Sequence, residues 1–247
     1  MRTTRTMVLT AAVGMVATAA AAQQASPPFT MATYYRCDYV RQTRADTLFR
    51  QVMGPALDRQ VQAGNLTGWG FSSHRMGGAW RRLETMTAPT LAKLVAAQEA
   101  YQADLDKNPK AAAEFDAICG SHDDYIWNRT LGSAPNPSAP APAFSYSRYF
   151  ACSDEATADM VMETAFAGIM NKHLAAGHIR SWGWLSHNFG GTIRRVLLWA
   201  GSDLMAVLNA EEMVSAELAS HGMWASFSTA CNTHNDYVWR SEASSTP

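Results

Sequence analysis

The chain has 247 residues, of which 47% are hydrophobic and 17% charged, and its formal net charge is −1. This composition excludes a largely disordered chain, and the charge balance offers neither a basic footprint for nucleic acid nor a polybasic stretch for anionic lipid. Length alone accommodates one large domain or two small ones.

The first residues read as a processing segment. Arg2 and Arg5 precede an apolar run over 7–17, and small residues ending in Ala20, Ala21 and Ala22 lead to Gln23. That is the order of a secretory signal peptide over 1–22, and the apolar run is short for a bilayer span. The expected destination is the periplasm or extracellular space, with no membrane attachment after cleavage. The four cysteines are an even number, and in that oxidising setting they read as disulfide partners.

A first unit, 29–129, opens with a β-prone aromatic run over 33–39. A helix follows, with Asp46 near its first turn. Phe49, Met53, Leu57 and Val61 recur every fourth residue as one buried face, and Gly64 is its stop. Two β-prone runs then flank Gly77-Gly78, a hairpin signal. A second helix is predicted over 89–105, and the unit ends in a strand carrying "DYIW". Residues 130–144 hold Pro135, Pro137, Pro140 and Pro142 and read as an extended linker.

The second unit, 145–241, is the first written again. "GWGFSSHRMGGAWRRL" (68–83) aligns with "SWGWLSHNFGGTIRRV" (181–196), so that Trp, Gly, Ser, His, Gly-Gly and Arg-Arg recur at the same offsets. Met162, Phe166, Met170 and Leu174 repeat the buried helix face, and Gly177 repeats the stop. A helix over 203–218 and a strand with "DYVW" complete the copy. A co-linear series of this kind marks internal duplication.

Each unit has the order β-α-β-β-α-β, a ferredoxin-like plan. Two helices cover only one face of a four-stranded sheet, so the other apolar face needs a second sheet. The predicted fold is therefore α+β: two tandem ferredoxin-like βαββαβ units packing sheet to sheet as an intramolecular α+β barrel. This element order, with its strand–Gly-Gly–strand–helix stretch, resembles the dimeric α+β barrel superfamily. The resemblance implies cofactor-free monooxygenase-like or cyclase-like activity, or haem binding as in proteins resembling chlorite dismutase that fuse two units. It points to no subfamily and transfers no active-site residue.

In that fold the first and fourth strands are antiparallel neighbours. The implied bridges are Cys37–Cys119 and Cys152–Cys231, one per unit. Two Cys and two recurring His per unit are also the inventory of a tetrahedral zinc site. The positions argue against it: His74 belongs to the strand at the far sheet edge, and Cys119 and His122, three apart, would face opposite ways on a strand. No metal is expected.

On the last strand His122 and Asp124 share one face, with Tyr125 and Trp127 on the other, and His234 and Asp236 repeat the pair. Each pair is a candidate oriented general base, and Tyr and Trp read as core. His74 and His187, beside the hairpin glycines, are the leading catalytic candidates. Trp69, Trp182, Arg81 and Arg194 are candidate ligand contacts for a cavity between the sheets. His173, His178 and His221 occur only in the second copy and read as surface.

Residues kept in both copies are enriched for structural duty; residues that differ could carry the function and are harder to pick. The sequence lacks the nucleophile-elbow, zinc-protease, P-loop, dinucleotide and c-type haem motifs. The expected role is to bind or transform a small apolar or aromatic molecule without a bound cofactor. Haem binding is the alternative, and a non-enzymatic structural module the second. Catalysis itself and self-association stay open.

Overall fold

The computed structural model describes residues 27–134 and 141–245. Residues 1–22, read as a signal peptide, and residues 135–140 of the span read as linker lie outside the described residues. The first half runs β1 (Phe29–Arg36), α1 (Gln42–Leu48), a π-helical turn (Phe49–Met53), α2 (Gly54–Gln62), β2 (Gly68–Gly77), β3 (Arg82–Ala88), α3 (Leu91–Leu105), α4 (Pro109–Cys119) and β4 (Ser121–Ser133). The second repeats it as β5 (Phe144–Ala151), α5 (Glu155–Val161), a π turn (Met162–Phe166), α6 (Ala167–Ala175), β6 (Ser181–Phe189), β7 (Arg195–Gly201), α7 (Leu204–Ser220), α8 (Trp224–Ala230) and β8 (Thr233–Ser244). Strand thus extends into both ends of the span read as linker.

Two helices were not anticipated. α4 and α8 intervene where the second helix was expected to lead straight into the last strand. Pro109 starts α4 in the first turn, where its missing N–H costs nothing, and Phe115 and Ile118 anchor it to the sheet. α8 is anchored by Phe227 and Ala230.

The eight strands form one closed antiparallel barrel, ordered β1-β3-β2-β8-β5-β7-β6-β4. Each half contributes four strands, and the halves join by edge pairing of β2 with β8 and of β4 with β6. Closure leaves no exposed sheet edge, which is the physical gain over two stacked sheets. Side chains alternate accordingly. On β1, Ala32 and Tyr34 point into the barrel, whereas Met31 and Tyr35 point out, beneath the helices.

Three cores result: one helix–sheet layer per half and an aromatic core inside the barrel. In the interior Trp80 stacks between Tyr34 and Tyr237, with ring centroids 4.2 and 4.9 Å away. Its ring nitrogen donates to Asp123 at 2.6 Å. The bridges Cys37–Cys119 and Cys152–Cys231 are both formed, so the cysteines of the hypothetical zinc set are consumed.

The barrel explains why Tyr recurs in the last strand of both copies. Tyr237 packs beneath the β2–β3 turn of the opposite half, where a Cβ on Gly78 would lie 2.3 Å from the phenol oxygen. Tyr125 meets Gly191 in the same way at 2.6 Å. Each half thus locks the other's hairpin. Gly78→Ala is expected to cost about 1–3 kcal/mol by overpacking. Adding Tyr237→Phe relieves part of that cost, and urea denaturation of the double-mutant cycle reads the coupling.

One surface assignment is overturned. His173 is buried at 4% exposure in α6, with its Nδ1 2.9 Å from His178 Nδ1 and its Nε2 3.2 Å from Glu217. Its Nδ1 is hydrogen-bonded to His178, whereas its buried Nε2 has the Glu217 carboxylate nearby but no hydrogen bond.

Candidate functional site

The two halves differ at one register position on the outer, helix-covered face of the sheet. In the first half Thr33 of β1 lies between Asp124 of β4 and Glu84 of β3. At the matching position of the second half, Arg148 of β5 lies between Asp236 of β8 and Leu197 of β7. The consequences are opposite. Arg148 is buried, bonding Asp236 at 3.0 Å, Glu211 at 3.0 Å and the Tyr146 hydroxyl at 2.8 Å. In the first half a cavity of about 500 Å³ opens instead, between the sheet and α3–α4.

Glu84 is the unusual group in that cavity. It is 2% exposed, accepts a hydrogen bond from the Tyr35 hydroxyl at 2.9 Å on Oε2, and has no partner on Oε1. Burial pushes its carboxyl up to about 7, and the Tyr35 hydrogen bond offsets only part of that rise. Tyr35 and Tyr101 are themselves pushed well above the usual phenol range, first by burial and then by Glu84, so both remain hydroxyl donors. Met31, Met53, Met86, Leu105 and Phe115 supply apolar wall, while Gln98, Gln102, Asp116 and His122 make the rest of the lining polar.

The sequence-predicted residues distribute as follows. His122 and Asp124 border this cavity, with His122 Nδ1 3.0 Å from the Asp124 carboxylate. His234 and Asp236 repeat the pair at 3.4 Å, but there Asp236 is also held by Arg148. His74 and His187 lie elsewhere, at the seams between halves. His74 packs edge-on against Tyr237 and Trp239, and His187 against Tyr125 and Trp127. Burial and then the neighbouring Arg81 or Arg194 lower both imidazoles, favouring the neutral ring.

The four candidate ligand contacts have structural partners. Trp69 and Trp182 lie under the helices, with ring nitrogens donating to Asp58 at 2.8 Å and Asn171 at 2.9 Å. Arg81 donates to His74 at 2.9 Å, and Arg194 to Glu155 at 2.7 Å. Sequence reasoning missed Glu84, Tyr35 and Tyr101. The signal was present as a difference between copies: Glu84 aligns with Leu197 within otherwise matching stretches.

The fold is shared with solved proteins at very low identity. A candidate monooxygenase of Fusobacterium nucleatum superposes with a TM-score of 0.60 at 8% identity, over 91% of this chain and 96% of that one. An anthrone oxidase-like protein gives 0.56 at 9%, over 90% and 94%. A haem-binding protein of Thermus thermophilus gives 0.52 at 10%, over 87% and 91%. No protein-family model matches the sequence, and no curated protein does. The chain shares with these proteins an α+β barrel fold, here built from two like units in one chain.

Proposed function

We propose that the first half carries a single small-molecule site in which Glu84 handles a proton for an apolar or aromatic ligand. The observation that carries this reading is a buried carboxyl, its pKa pushed up to about 7, that lines a cavity with both polar and apolar walls. A group poised near ambient pH is suited to general acid–base work. A suitable substrate is a flat aromatic ketone with an acidic C–H beside its carbonyl. Glu84 as carboxylate takes the carbon-bound proton, leaving the enolate, and returns a proton when the enolate is quenched. His122–Asp124 at the border can relay that proton to solvent.

Anthrone is the probe, since the anthrone oxidase-like neighbour makes it a reasonable compound to try. Exchange of its methylene protons in deuterated water, followed by NMR, is expected to accelerate with the protein. The acceleration should rise with pH through about 7 as Glu84 ionises. Glu84→Gln should lose on the order of 100-fold of it, the usual weight of a positioned base. Exchange unaffected by Glu84→Gln sinks the assignment.

Haem is the second reading, favoured by the shared fold and by His122 lining the same cavity. The lining does not suit it otherwise. Glu84, Asp116 and Asp124 border the cavity and no Lys or Arg does, so the propionates would meet like charge. Trp184 and Trp199 are fully buried in the second half, where they fill part of the space beneath its helices. Adding haem to the same samples is the control, and no shift of its Soret band from that of free haem is expected.

Export is part of the proposal. Two disulfides suit an oxidising compartment, and among the described residues no helix is long and apolar enough to cross a membrane.

A further inference from the structure

On the other side of the same sheet, inside the barrel, lies a second cavity of about 480 Å³. Leu83, Leu185, Val196 and Leu198 supply apolar lining, and Trp127 borders it with a buried ring nitrogen that has no hydrogen-bond acceptor. The single charged group is Arg129, on the inward face of β4. Its guanidinium lies against the bare backbone of Gly183, where a Cβ would stand 3.1 Å from Arg129 Cζ.

No acidic residue lines this cavity, and among the described residues no hydrogen bond or ion pair engages the Arg129 side chain. Burial disfavours its cation. Arg129 is half-buried and Arg keeps its charge in proteins, so beside this apolar lining an anion is its natural partner. The fold does not require this residue. The aligned position in the second copy is Ser241.

We propose that the barrel interior binds an apolar carboxylate, its anionic head paired with Arg129 and its hydrocarbon or aryl body among the leucines. A bidentate Arg–carboxylate pair in an apolar surround is strong and selective. The volume falls within the range of roughly 300–1,000 Å³ typical of ligand pockets. This site is independent of the Glu84 cavity, because adjacent residues Glu84 and Thr85 face opposite sides of β3 and line one cavity each.

The test titrates the full chain with decanoate and, separately, decan-1-ol, read by tryptophan fluorescence and calorimetry. Saturable one-to-one binding of decanoate is expected, with decan-1-ol at least about tenfold weaker, as loss of one charge-assisted hydrogen bond implies. Arg129→Gln should erase that preference and Arg129→Lys retain part of it, whereas Glu84→Gln should leave it intact. Equal affinity for acid and alcohol in the unaltered protein, or no saturable binding, overturns the proposal without any variant. A preference that survives Arg129→Gln, or that vanishes in Glu84→Gln, overturns it as well.

Discussion

Glu84→Gln is expected to make the protein more stable above about pH 8 by on the order of 3 kcal/mol, and to leave it nearly unchanged below about pH 4.5. The folded state holds the Glu84 proton up to about 7, whereas the unfolded chain releases it near the ordinary 4.5. Between those values the folded state binds more protons, so stability falls as pH rises. Above the upper value the full penalty of a buried carboxylate is present, and the isosteric amide removes it. The other titrating groups are common to both proteins. The difference between their urea-denaturation curves, taken across pH, therefore isolates Glu84. A flat difference would show that the carboxyl does not hold its proton, and the acid–base reading would go with it. Coupled with the expected loss of proton exchange, the variant would be stabler and inactive, the usual sign that a strained group is kept for function.

Loss of the disulfides is the other large effect. Cys37–Cys119 and Cys152–Cys231 span 82 and 79 residues. Each restricts the unfolded chain by roughly 4–5 kcal/mol in the chain-entropy account. Because the spans nearly match, Cys37→Ser/Cys119→Ser and Cys152→Ser/Cys231→Ser are expected to cost similar amounts. Removing both bridges approaches the whole stability of an ordinary domain, about 5–15 kcal/mol. Reduction at neutral pH should therefore unfold the chain or bring it close to unfolding, as followed by circular dichroism. A shift in the urea midpoint worth less than about 1 kcal/mol would mean that barrel closure, not the bridges, dominates.

The legible parts of the fold are those where local chemistry repeats. Gly77-Gly78 and Gly190-Gly191 mark their hairpins, and Phe49, Met53 and Leu57 mark a buried helix face, because these signals lie within one or two turns of chain. Helices α4 and α8 were missed because they are short, and their anchors Phe115 and Phe227 show no sustained period. The candidate site was half legible. His122–Asp124 could be seen as a same-face pair, and the structure places it at the border of a cavity. Glu84 stood out only as a difference from Leu197 of the other copy, and a lone glutamate in a strand is ordinarily a solvated face.

Duplication, the element order and the expectation of two sheets sharing one core follow from the sequence alone, because identical offsets in two copies impose identical local structure. The tertiary structure decided which copy of each residue is free to act. Asp124 and Asp236 are the same residue in the same motif, yet one borders a cavity while the other is bound by Arg148. Thr33 and Arg148 lie beside them across a strand pair, far away in sequence, and only pairing β1 with β4 and β5 with β8 brings that difference to bear. Burial then does the chemistry. Glu84 titrates near 7 because helices α3 and α4 exclude water from it, a property that belongs to the packing and not to the residue.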